Sequence, residues 1–235
     1  MAPLLLSAAL LLGAAALAAA DPPAAPAAPA PAIRHLGGPR HELNGISFND
    51  ASRAISLPAK INLATGLLEY ALVHESGKAH ESLLTTPVSP FDLNIVLLLL
   101  NYRPSTTFFD QSNKEAGAVL VPNPKIDPAS NLLVTLDWKD PSGTPRSARL
   151  ESLLLNLDRK APAADGPFTY TGSMLMEDGT FMAKETGSIL ALYADAAALL
   201  NNPRPGNQND DIWAPNPAAI PPKGTALTLT FTPAP

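Results

Sequence analysis

None of the 235 residues is a cysteine, so no disulfide, thiol nucleophile or cysteine-held metal can take part in the fold or its chemistry. Stability has to come from buried apolar surface, and a chain of this length can bury enough of it without covalent help. Iron–sulfur clusters and structural Cys–zinc sites are excluded by the same fact. The charge balance narrows the partners. With 16 Lys+Arg against 21 Asp+Glu, a net of −5, neither a nucleic acid nor an anionic membrane surface is expected.

The chain opens MAPLLLSAALLLGAAALAAADPP, an apolar run from Leu4 to Leu17 followed by Ala18, Ala19 and Ala20. Small side chains at the end of such a run fit a signal peptidase, so residues 1–20 read as a cleavable secretory signal and the mature protein as exported, periplasmic or extracellular. An uncleaved N-terminal anchor is the alternative, because the run lacks a preceding Lys or Arg. No cysteine follows it to carry a lipid. Later apolar stretches are far short of the roughly 20 residues needed to span a bilayer, so no transmembrane span is expected in the mature chain. Asp21 to Ala32 holds five Pro and six Ala, an extended spacer that cannot form a core. Residues 33–235 then suit one globular domain, without internal repeats.

Within it, AISLPAKINL and GLLEYALVH read as strands, and AHESLLTT after ESGK predicts a hairpin closed at Ser76-Gly77. Ser89 as cap, Pro90 in the first turn, Asp92 at the positive end and an apolar run stopping before Pro104 predict a helix over 90–102, buried against a sheet. NLLVTLDWKD and PRSARLES predict two strands around the turn-forming DPSGTP, while LLLNLDRK stays open between strand end and short helix. PFTYTGSMLM, GTFMAKE and SILALYA read as strands, ADAAALLNN as a helical turn, and LTLTFT as a strand with its Thr residues on one face. The fold class is α+β, mainly antiparallel β-sheet with one well-defined helix and short helical turns.

GLLEYALVHESGKAHESLLTTPVSPFDLNIVLLLL, YTGS, GTFMAKETGSILALYAD and the closing IWAPN and PPKGTALTLTF segments resemble the YdjY-type domain of exported bacterial proteins, over most of residues 53–233. Gly77, Lys78, His80, Glu81 and Ser82 form the most specific part of the likeness. The family is uncharacterised, so the resemblance implies one exported domain and no reaction. Some relatives carry ferredoxin-like cysteine clusters, a role this cysteine-free chain does not inherit.

Chemistry is best sought at Lys78, His80, Glu81 and Ser82. His74-Glu75 and His80-Glu81 lie six residues apart, and the turn register decides whether the imidazoles meet. A two-residue loop sets them on opposite faces. A three-residue loop opposes them, and His74 with His80 and Glu81 could then bind a transition metal. Other readings of the same residues are a hydrogen-bond network in which Lys78 and Glu81 tie the hairpin to the neighbouring helix, and acid/base work by His80 with Glu81. HESGK is not the helical zinc-protease motif, because Lys78 stands where its second His belongs. No catalytic residue is assigned.

Ser82 and Ser173 lack the nucleophile-elbow pattern, Gly172 and Gly187 suit tight turns, and PGNQNDDIW reads as a solvated loop rather than a calcium loop. Trp138 and Trp213 could form a platform for a glycan or peptide, or pack in the core. His35 and His41 read as solvent-exposed in a flexible arm. Two functions from different classes follow. The first is a non-enzymatic binding or structural module of the envelope, with an envelope protein, peptide or glycan as partner and no cofactor. The second is a metal-binding protein or metal-dependent enzyme centred on His74 and His80.

Overall fold

The computed structural model describes residues 32–109 and 127–235; the leader 1–20 and the spacer, apart from Ala32, lie outside the described residues. Strands β1 (Arg34–Gly37), β2 (Arg40–Leu43), β3 (Ile46–Asn49) and β4 (Ile55–Ile61) come first, then β5 (Tyr70–His74), β6 (Ser82–Thr86) and helix α1 (Pro90–Leu99). β7 (Asn131–Lys139) and β8 (Pro145–Arg149) are followed by the short β9 (Leu154–Asn156), β10 (Ala161–Pro162) and β11 (Phe168–Tyr170). Helix α2 (Met182–Thr186) then precedes β12 (Ser188–Ala191), β13 (Leu200–Asn201), β14 (Trp213–Pro215) and β15 (Ala226–Pro233).

Eight strands close into a barrel in the order β4-β15-β7-β11-β13-β12-β5-β6, with β6 pairing back onto β4. Closure removes the exposed edges that an open sheet would have to protect. β1–β3 extend from β4 outside the ring, β8 pairs β7 at Thr135–Lys139, beyond its pairing with β11, and β10-β9-β14 make a separate three-stranded sheet. The sheet is mainly antiparallel and carries one longer helix, as the α+β reading has it, but the barrel is new information. Pro58 lies inside β4. It can stay there because β4 pairs β3 at Ser56 and β6 at Lys60, and the residue without an N–H falls where the neighbour changes.

Local chemistry explains most elements. In β15, Leu227, Leu229 and Phe231 are buried while Thr228, Thr230 and Thr232 take the other face, the alternation of a half-buried strand. The β7–β8 turn is organised by Asp140, whose carboxylate accepts from the Ser142 and Thr144 amides at 3.0 Å each and from Arg146 Nε at 2.9 Å. Ser142 first and Arg146 second hold its carboxyl down near about 2. Ser89 Oγ accepts from the Phe91 amide to cap α1, as predicted. The helix is shorter than 90–102 because Asn101 turns left-handed (φ 58°), and Arg53 Nε closes the end by donating to Leu100 O at 2.8 Å.

The hairpin prediction is overturned. β5 and β6 are parallel neighbours, Tyr70 opposite Ser82 and His74 opposite Thr86, and a short 3-10 turn at Ala79–Glu81 leads back between them. Gly77 does not act as a left-handed turn residue. It serves close approach: an added Cβ would stand 2.8 Å from Thr186 O and 3.0 Å from Gly187 Cα. Both strands are buried almost throughout, which is how parallel strands covered on both faces read. Two smaller corrections follow. GTFMAKE contains α2 rather than a strand, because Met, Ala, Lys and Glu favour helix and Gly187 (φ 73°) ends it in the left-handed region. ADAAALLNN is a turn leading into β13, held by Asp195 Oδ1 accepting from the Ala197 amide at 2.8 Å.

Candidate functional site

The segment between β5 and β6 carries Lys78, His80 and Glu81 onto the outer side of β5, where Tyr70 forms a small buried cluster with Val73, Ala191 and Ala198. The Tyr70 ring places its hydroxyl between two charges. Lys78 Nζ donates to it at 2.8 Å, and it donates to Asp195 Oδ2 at 2.8 Å. Lys78 also lies 4.8 Å over the Tyr70 ring and 3.7 Å from Glu81 Oε1. Burial first, and the Asp195 carboxylate second, push the Tyr70 phenol far above its ordinary range. A phenol so held is a neutral donor with both partners committed, which suits a cross-brace and not a base.

Glu81 and Glu69 share the rim of this cluster. The Glu69 carboxyl is raised above its usual value, by burial and then by Glu81, against the lowering effect of Lys78. A carboxyl raised in the folded state is protonated more readily there than in the unfolded chain, so its contribution weakens stability as pH rises through that folded value. Glu69→Gln is therefore expected to unfold at a higher temperature than the parent at pH 7 and at nearly the same temperature at pH 4, by calorimetry. Tyr70→Phe should cost about 1–3 kcal/mol, since Asp195 and Lys78 lose their shared partner. Chemical denaturation measures this directly.

The predicted residues divide clearly. Lys78 and Glu81 do belong to a hydrogen-bond network, but it ties their loop to Tyr70 and Asp195, not to α1. Ser82 is buried, and its hydroxyl donates to Lys78 O at 2.6 Å, a role inside the turn. His80 stands 79% exposed, its Nε2 3.6 Å from Glu81 Oε2. His74 bonds its neighbour Ser76, Nδ1 to Oγ 2.7 Å. The cross-strand pairing of His74 and His80, which a three-residue loop would have given, does not form, because the parallel register gives His74 the partner Thr86. Among the described residues no group of three or more His, Cys, Asp or Glu is arranged to hold a metal.

His35 and His41 depart from the flexible-arm reading: they are paired across β1 and β2 with ring centroids 4.6 Å apart, and His41 Nε2 lies 3.2 Å from Asp50 Oδ2. Trp213 is buried, so the two tryptophans form no shared platform. Trp138 alone lines an open groove of about 900 Å³ with Pro141, Pro145, Arg146 and Pro222. Sequence reasoning passed over Tyr70 and Asp195 entirely. The signal available was weak: a tyrosine flanked by Glu69 in an otherwise apolar strand.

One surface feature stands apart from these polar groups. α1 buries Leu93, Val96, Leu97 and Leu100, yet Phe91, Leu98 and Leu99 are exposed. With Ile95 they fall at i, i+4, i+7 and i+8, a single stripe. The stripe meets the start of α2, where the Phe91 and Phe181 rings lie edge to face at 5.8 Å. Phe181 in turn bridges Leu175, which is 72% exposed between exposed Met174 and Met176. The prediction that α1 is buried against sheet is therefore half right.

The family model for the YdjY domain matches residues 46–232, close to the span of the resemblance read from the sequence. No curated protein and no solved structure matches the chain.

Proposed function

The chain belongs to the YdjY domain family, and from that footing we propose that it is an exported, non-catalytic binding module of the cell envelope, contacting a partner protein through the apolar stripe of α1 and the 174–176 turn. The apolar run at 4–17, the alanines at 18–20 and the Pro/Ala spacer support export. The binding half rests on one observation: six exposed apolar residues, Phe91, Leu98, Leu99, Met174, Leu175 and Met176, with Ile95 half-buried among them, lie on two elements joined through the Phe91–Phe181 ring contact and the Leu175–Phe181 bridge. Contiguous patches of this kind mark contact surfaces, whereas single exposed leucines do not. Methionines suit such a surface because an unbranched thioether adapts to the shape opposite it. The polar cluster at Lys78 argues the same way from the other side, since its hydrogen bonds are spent internally between Tyr70 and Asp195.

Gel filtration of envelope extract from the host tests this. The parent protein should elute with a larger assembly, and a Leu98→Asp/Leu175→Asp variant at the size of the free chain with unchanged circular dichroism. Both proteins eluting as the free chain would refute the reading.

A further inference from the structure

We infer that the occupant of this surface is a cationic amphipathic segment of the partner protein. The inference rests on the binding reading above and adds the chemistry of the partner. Its basis is the charge set along the stripe. Asp92 borders the helical part, two turns before Leu99 on the same side of α1, and accepts from Asn44 Nδ2 at 2.9 Å. Glu177 and Asp178 form the exposed tip that directly follows Met176, and Glu185 is exposed on α2. Among the described residues these four carboxylates face Lys184, exposed on α2, while Arg53 and the exposed Arg103 stand at the far, C-terminal end of α1, so the acidic end of the surface is the one at Phe91 and the 174–178 tip.

The tip has a shape that fits a basic side chain. Met176, Glu177, Asp178, Thr180 and Met182 line an open depression of about 580 Å³, with two thioethers beside two carboxylates. A lysine or arginine lays its methylenes on apolar atoms and keeps its charged head among acids and water, so both halves of the depression are used by one residue. Asp178 stays ionised over this role: hydrogen bonds from Thr180 hold its carboxyl below the usual value. Apolar anchors of the partner would lie on Phe91, Ile95, Leu98 and Leu175, as an amphipathic helix does in a groove. Acidic flanks disfavour the other two occupants. A second copy would bring carboxylates against carboxylates, and an anionic bilayer would meet the same repulsion.

Fluorescence anisotropy of two labelled synthetic 18-residue helical peptides, one built from Leu and Lys and one from Leu and Glu at the same spacing, tests the inference on the protein as recovered from its host. The Leu/Lys peptide should bind at least tenfold more tightly than the Leu/Glu peptide, with affinity falling as salt rises. Glu177→Lys/Asp178→Lys should reverse or erase that preference, and Leu98→Asp/Leu175→Asp should abolish binding of both peptides. Equal binding of both peptides, lost in the Leu98→Asp/Leu175→Asp variant, would keep the contact surface and overturn the cationic partner. Binding that survives that variant, or no binding of either peptide, would overturn the inference too. So would Leu98-dependent attachment to phosphatidylglycerol vesicles, which assigns the face to lipid, or a sedimentation dimer that Leu98→Asp dissociates, which assigns it to a second copy.

Discussion

Glu151→Ala is expected to destabilise the protein by about 3–5 kcal/mol, the usual consequence of removing one partner of a buried ion pair. Glu151 is fully buried. Its Oε1 accepts from Arg149 Nη2 at 2.8 Å and from the Gly166 amide at 3.2 Å, and lies 3.4 Å from Arg204 Nη2. Arg204 is itself buried. Burial lowers its guanidinium to about 10 against the opposing pull of Glu151, so that carboxylate is what makes the charge tolerable. Arg204 then fixes the 164–167 segment by donating to Ala164 O at 2.6 Å and Gly166 O at 2.7 Å, and lies 4.5 Å over the Phe168 ring. Without Glu151 the cation keeps its carbonyl partners and the Phe168 ring, with only the weaker pull of Asp165 to balance its charge. A melting temperature lower by roughly 10 °C is the expected reading for a chain of this size. Glu151→Gln, which keeps an acceptor and loses the charge, should fall between. Glu151→Leu combined with Arg204→Met should cost less than the two single changes summed, because each single change leaves the other charge alone. A loss below about 1 kcal/mol for Glu151→Ala would show that water reaches this pair and that the buried-charge argument is wrong.

The second large effect is expected at Gly187. Its φ of 73° is left-handed, and a Cβ there would stand 2.8 Å from Gly77 Cα and 3.2 Å from Gly77 N. Backbone atoms cannot swing aside as a side chain can. Gly187→Ala should therefore cost about 2–4 kcal/mol, left-handed strain and overpacking together. Gly179→Ala separates the two causes. Gly179 is also left-handed (φ 85°) but faces open space, so it should lose only about 1–2 kcal/mol. Equal losses at the two positions, by urea denaturation, would mean that the contact between the two glycines carries no energy.

Those two sites also show what the sequence could and could not convey. The capping of α1 was readable because Ser89, Pro90 and Asp92 act on the residues next to them, and β15 was readable because its alternation is local. Gly77 was misread for a physical reason. A glycine between two apolar runs satisfies a hairpin turn and a close crossing equally well, and only Gly187, more than a hundred residues away, decides between them. The unbroken apolar run YALV was a usable sign of a strand buried on both faces, and it pointed away from a hairpin. In α2 the run of helix formers before Gly187 outweighed the aromatic start that suggested a strand.

The candidate site was half legible. Lys78 and Glu81 stand together in the network, but Tyr70 and Asp195, 125 residues apart, meet only through the pairing of β5 with β12. Glu151 and Arg204 are likewise brought together only by the fold, and no pattern in the chain pairs them. The apolar composition of α1 implied burial against a sheet. Only the fold shows that one stripe of it faces outward beside Met174–Met176.

Site-specific photo-crosslinking in the living host tests the central claim most directly, with a benzophenone amino acid replacing Leu98 in one protein and Lys78 in another. A discrete adduct to one envelope protein from position 98, and none from position 78, is the predicted result. Adducts from position 78 with none from position 98 would contradict the account and move the working surface to the Lys78–Glu81 cluster.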